Sequence, residues 1–109
     1  MTGLKWLVES VKGADTIETA QTSFTIEAGG SFVTTLGCNK FSGKATIQGK
    51  KLRFGPLAST YMYCAEVLMD QEQKYAEALA AVREYRIEGQ LLKLGDEASE
   101  DLVSLARTR

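Results

Sequence analysis

Short runs of β-branched and aromatic residues, each set off by a glycine-centred turn, recur along most of the chain and restrict it to an antiparallel β architecture. Phe24-Thr25-Ile26-Glu27 and Ser31 to Leu36 flank Ala28-Gly29-Gly30. Lys44 to Gln48 and Lys51 to Phe54 flank Gly49-Lys50, and Glu84 to Glu88 and Leu91 to Leu94 flank Gly89-Gln90. Glycine accepts the positive φ of tight hairpin turns without steric cost. Links this short can join only antiparallel neighbours, because a parallel pair needs a crossover of a dozen residues or more. Leu4 to Lys12, with Leu4, Trp6 and Val8 on one side, adds a strand at the start that Gly13-Ala14-Asp15 ends. Asp101 to Ala106 adds one at the end, after the acidic turn Asp96 to Glu100.

One segment breaks the pattern. From Glu66 to Ala81 there is no Gly or Pro, and strong helix formers dominate. Leu68, Tyr75 and Leu79, with Ala76 beside them, share one helical face, whereas Glu72, Lys74, Glu77 and Arg83 are expected to face water. Asp70 followed by Gln73 offers a capping alternative for a later start. The expected fold is therefore α+β: a small antiparallel, barrel-like, half-open sheet of about eight strands. One helix is inserted between strands five and six and closes one end or side.

A chain of 109 residues fits a single domain, 1–109, able to bury a hydrophobic core unaided. Its apolar fraction of 44% and charged fraction of 25% are those of an ordinary globular protein. Net charge is −1 with both signs interspersed, which argues against nucleic acid and against a polybasic membrane anchor. No apolar run is long enough to span a bilayer. The opening Met1 to Trp6 lacks the apolar segment of a signal peptide, so the chain reads as cytoplasmic or as a mature fragment. There is no histidine, the commonest general base and metal ligand.

Two motifs stand out. Gly37-Cys38-Asn39-Lys40-Phe41-Ser42-Gly43 brackets a Cys-Asn pair between glycines. A reactive thiol would need a base, and none accompanies it, so a tight corner is the better reading: glycine supplies the bend, Asn39 bonds nearby backbone and Phe41 packs inward. Gly55-Pro56-Leu57-Ala58-Ser59-Thr60-Tyr61-Met62-Tyr63-Cys64 turns the chain after a strand and leads irregularly into the helix. Without histidine or a Ser-x-x-Lys spacing, Ser59 and Thr60 are poor nucleophiles. Cys38 and Cys64 either form a disulfide or lie reduced as small apolar groups, and two thiols alone make a poor metal shell.

These motifs resemble those of the META domain family, also called the heat-shock HslJ-like family. The opening Gly3-Leu4-Lys5-Trp6-Leu7-Val8 is similar to the family's Trp-x-Leu strand, and Gly37 to Gly43 to its Gly-Cys-Asn-Arg-Phe-x-Gly signature. Ala58-Ser59-Thr60 with Met62-x-Cys64 is similar to its Ala-x-Thr-Arg-Met-x-Cys stretch. Met69 to Glu72, Ala78-Leu79 and Tyr85-Arg86-Ile87-x-Gly89-x-Leu91 resemble its helix and following hairpin. Lys40 and Tyr61 stand where the family usually has arginine.

The resemblance implies a barrel-like α+β domain of the bacterial envelope, often on a lipoprotein, tied to stress or virulence, with no established enzymatic activity; a monomer without a cofactor is expected. A fold likeness to a lipid-binding secretion pilot protein suggests an apolar cleft. Gly37, Asn39, Gly43 and Thr60 would be structural, and Cys38 would lie near Cys64. The expected role is a non-enzymatic binding module for a protein partner or apolar group. A lipid or small-molecule carrier and a thiol-redox protein using Cys38 and Cys64 are the alternatives. The candidate groove comprises Tyr61, Met62 and Tyr63, a floor of Phe41 and Phe54, and flanks of Leu68 and Tyr75.

The lack of a nucleophile–base pair predicts no turnover of ester, phosphate, peptide or glycoside substrates. Turnover abolished by Ser59→Ala, Thr60→Ala or Cys38→Ala would contradict this.

Overall fold

The computed structural model describes residues 2–16 and 22–107. Within them, the chain forms β1 (Lys5–Val11), β2 (Ala14–Asp15), β3 (Ser23–Ile26), β4 (Ser31–Thr35), β5 (Lys40–Gln48), β6 (Lys51–Phe54) and β7 (Ala58–Ser59). Helix α1 (Glu66–Ala81) follows, then β8 (Glu84–Glu88), β9 (Leu91–Gly95) and β10 (Asp101–Arg107). Every pairing is antiparallel. The eight strands expected from the alternating runs are present, and the described residues add two. These are β2 against β1 and β7 against β5, each two residues long. The helix therefore follows the seventh strand rather than the fifth. A two-residue strand is dictated by its partner's free edge and leaves no periodic trace in its own sequence.

The order β10-β9-β8-β6-β5-β4-β3-β1, with β1 also paired to β10, makes the sheet a ring of hydrogen-bonded strands. The closing pair is extensive, from Trp6 opposite Arg107 to Val11 opposite Val103. The thinnest seam lies between β6 and β8, where Lys51 opposite Glu84 is the aligned pair. The Leu52 N–H donates to the Arg83 carbonyl and the Tyr85 N–H to the Lys50 carbonyl there, both at 3.0 Å.

The period of two along each strand sends alternate side chains into the ring. Trp6, Val8, Phe24, Ile26, Phe32, Leu52, Leu92, Leu94, Val103 and Leu105 are all but inaccessible. Phe24, Phe32 and Phe54 form an aromatic cluster, with Phe32 and Phe54 edge-on at 4.9 Å between centroids. Helix α1 packs against β1, β6 and β10 and reaches β4 through Tyr75, so it lies across one mouth of the ring. Its buried face carries Glu72, Tyr75, Ala78 and Leu79. Glu72 was expected to face water and instead is only 4% exposed. The start at Glu66 has no side-chain cap, and Asp70 pairs with Lys74 at 3.2 Å instead of capping a later turn. Among the described residues, no helix is long and apolar enough to cross a membrane.

The one polar residue pointing inward from β4, Thr34, is satisfied on both sides. Its hydroxyl donates to the Ser23 carbonyl at 2.7 Å and accepts from the Tyr75 hydroxyl at 2.6 Å. Burial pushes the Tyr75 phenol well above the usual tyrosine range, so it stays a neutral donor.

Because Leu79 is fully buried and Val67, in the first turn of α1, is 62% exposed, truncating each to alanine should separate core from surface. Leu79→Ala is expected to cost about 2–5 kcal/mol by urea unfolding. Val67→Ala should stay within about 0.5 kcal/mol.

Candidate functional site

The corner between β4 and β5 generates the site. Gly37 sits at φ +107°, a backbone conformation that a side chain would strain. Gly43 serves a different need. A Cβ there would come 2.8 Å from the Pro56 carbonyl oxygen and 3.3 Å from the Phe32 ring, so glycine lets the 55–64 segment pass close over β5. That approach brings the two cysteine motifs together, and Cys38 and Cys64 form a disulfide with Cα atoms 6.3 Å apart. A bridge enclosing a loop this long contributes roughly 3.5 kcal/mol in the chain-entropy model.

Asn39, buried beneath the corner, is bonded on both sides of its amide. Its Oδ1 accepts from the Met62 N–H at 2.6 Å and from the Thr60 hydroxyl at 3.0 Å. Its Nδ2 donates to Glu72 Oε1 at 3.1 Å. The other Glu72 oxygen, Oε2, accepts the backbone N–H groups of Asn39 at 2.8 Å and of Cys38 at 3.1 Å. Thr60 also accepts from the Lys40 N–H at 3.0 Å, and its own N–H donates to the Lys40 carbonyl. Helix, corner and the 59–64 segment are therefore held by one buried polar network, in which each donor meets an acceptor. Thr35 completes the corner: its hydroxyl donates to the Asn39 carbonyl and accepts from the Gly37 N–H.

What this network presents to solvent is aromatic. Tyr61 is 98% exposed and Tyr63 is 96% exposed, although their neighbours are tied down. They stand over an open groove of about 580 Å³ between α1 and the 59–63 segment, with Phe41, Met69 and Ala76 among its lining and Glu66, Asp70 and Glu72 as its acids. Among the described residues, no Lys or Arg lines it.

Of the residues assigned to a groove from sequence, Phe41, Tyr61 and Tyr63 are brought together here. Phe54 lies in the aromatic cluster of the ring and Tyr75 beneath the floor, its ring edge-on to Phe41 at 6.3 Å. Leu68 is half-buried on α1 and outside the lining. Met62 is 55% exposed, but its backbone, bound to Asn39, is what the site uses. Glu72 is the residue that sequence reasoning missed. A signal was present: it falls four residues after Leu68 and three before Tyr75, on the buried stripe itself.

The family model of the META domain matches residues 1–109, the whole chain. The chain belongs to the META domain family. A protein from Burkholderia xenovorans, solved by NMR, superposes with a TM-score of 0.76 at 18% identity, over 98% of this chain and 83% of that one. A second NMR structure gives 0.76 at 18% identity over 97% and 90%. A DUF4847 family protein from Bacteroides vulgatus gives 0.64 at 17% identity over 78% and 57%. At such identities the likeness is one of fold. No curated protein gives a significant match. In this META domain the corner glycines, the cysteine pair and Asn39 are the same residues that carry the sequence resemblance, and the structure gives each a mechanical role.

Glu72→Gln tests the network directly. A glutamine can keep one oxygen for the backbone N–H groups of Cys38 and Asn39, but its amide nitrogen then faces the Asn39 amide nitrogen, donor against donor. Asn39 cannot turn over without losing Met62 and Thr60. We expect a loss of about 1–3 kcal/mol in urea unfolding, with the fold retained. A loss below about 0.5 kcal/mol would contradict the network as described.

Proposed function

We propose that this chain is a non-enzymatic binding module of the cell envelope, whose groove between α1 and the 59–63 segment receives an apolar group carried by a protein partner. The observation that carries the reading is the near-complete exposure of Tyr61 and Tyr63 beside that groove, on a backbone pinned by Asn39, Thr60 and a disulfide. Large amphipathic rings on a fixed backbone spare the ordering of the main chain on binding and bury much area, which is why tyrosine and methionine suit interfaces. A ring interior filled by Trp6, Phe24, Phe41 and Phe54 supports an external site over a carrier cavity.

A non-catalytic role is supported by how the hydroxyls are spent. The Ser59 hydroxyl donates to the Thr60 carbonyl, and the Thr60 hydroxyl bridges Asn39 and Lys40. The paired cysteines, 26 positions apart rather than in a Cys-x-x-Cys spacing, act as a staple across the site. A disulfide in so small a domain also supports an oxidising compartment such as the periplasm.

Saturable binding of Nile red and of lauric acid at sub-millimolar concentration is expected of the wild type. Tyr61→Ala or Tyr63→Ala should weaken it several-fold while shifting stability by less than about 0.5 kcal/mol, since neither ring is packed in the core. Unsaturable binding, or variants that bind as the wild type does, would overturn the groove.

A further inference from the structure

The net charge of −1 conceals a segregation. Residues 28–65 contain Lys40, Lys44, Lys50, Lys51 and Arg53 and no Asp or Glu, whereas the rest of the chain holds all 14 acidic residues. The interspersion expected from the sequence therefore fails over this stretch, and the fold gathers its cations on one face. Lys40 and Lys44 project outward from β5, Lys51 and Arg53 from β6, because their neighbours Phe41, Leu52 and Phe54 point into the ring. Pairing places Arg53 opposite Thr46 and Lys51 opposite Gln48, so the cations follow β5 in a stripe of roughly 26 Å. The outward residues of β4 beside them are Ser31, Val33 and Thr35, all uncharged, with Val33 44% exposed. Lys40, Lys44, Lys50, Lys51 and Arg53 take part in none of the ion pairs among the described residues, whereas Lys12, Lys74 and Arg86 are all paired. At the β6–β8 seam Lys50, Lys51, Arg53 and Arg83 line a shallow depression, with Glu84 and Glu97 as its acids.

We infer that the outer face of β4, β5 and β6 docks on an anionic phospholipid surface, and the inference does not rest on the groove. Only charges within about 8 Å of a surface are felt at physiological salt, so this face can be attracted although the whole chain is slightly acidic. Four of the five cations are lysines, hydrated point charges suited to diffuse attraction rather than to bidentate recognition of one group. The face is the convex outside of a ring; the strands β4, β5 and β6 present no aromatic residue outward, and the neighbouring Tyr85 ring is covered by Lys50, whose Nζ lies 5.6 Å from its centroid. The face does not match a rigid nucleic-acid groove, whereas a fluid bilayer can gather anionic headgroups beneath each cation. Val33 adds an apolar contact at the headgroup boundary. Within β4, β5 and β6 themselves no acid opposes the cations; Glu84 and Glu97 border the face at the β6–β8 seam.

Co-sedimentation with vesicles tests this. The wild type should bind phosphatidylcholine vesicles containing phosphatidylglycerol, not pure phosphatidylcholine, and should be released by salt. Lys44→Gln/Lys51→Gln/Arg53→Gln should lower partitioning about a hundredfold, at roughly fivefold per cation, with an unchanged melting temperature. Lys12→Gln/Lys74→Gln/Arg107→Gln, with the same net charge, should retain binding. Equal loss in both triple variants, binding to neutral vesicles, no binding at low salt, or tighter binding to duplex DNA than to the anionic vesicles would each overturn the inference.

Discussion

A single buried carboxylate holds the working parts of this domain in register. Glu72 brings its charge from the helix into the interior, and three donors of the β4–β5 corner meet it there. Two of them are the N–H groups of Cys38 and Asn39, which lie in the corner ahead of β5. The costs are complementary. A bare carboxylate and two bare amides would each be expensive to bury, and together they offset one another. The side chain of Asn39 then carries the same tie outward to Thr60 and Met62, and the disulfide repeats it covalently beside them. Without this tie the 59–64 segment would be an ordinary surface loop.

With the ring filled, the proposed binding falls to the outer surface. The interior is used up by aromatic and aliphatic side chains, so what differs around the body is the outer surface. On one side, next to α1, two tyrosines and several acids border an open groove. On the β4–β6 side lie uncharged residues, lysines and Arg53. The two proposals are compatible in one molecule, because a module held at a membrane by one face would still offer the other to a partner. Effective concentration near a surface would then favour partners that are themselves membrane-bound.

Much of the fold was legible because it depends on local rules. Gly49 and Gly89 mark hairpins at positive φ, and the alternation around Leu52-Arg53-Phe54 states which side is inside. The helix was legible from composition and from Leu79 and Tyr75. What escaped was set by distant partners. Strands β2 and β7 exist only as additions to β1 and β5. Glu72 reads as a solvent residue until the donors that hold it, 33 and 34 positions earlier, are in view. The groove was half legible. Tyr61 and Tyr63, assigned to a groove from sequence, stand exposed beside one, while Phe54 and Tyr75 look the same in sequence and belong to the interior. Charge segregation was written in the sequence all along and was hidden by summing over the whole chain.

Amide hydrogen exchange at Asn39 and Met62 tests the account most directly. Met62 lies in an exposed segment outside any strand, and exposed loop amides ordinarily exchange fast. If the Glu72–Asn39 tie holds the site, the Met62 and Asn39 amides should exchange as slowly as those of the neighbouring strand β5. In Glu72→Ala, both should become fast while β1 and β10 stay protected. Rapid exchange of these two amides in the wild type, comparable with that of Tyr61 or Tyr63, would contradict it.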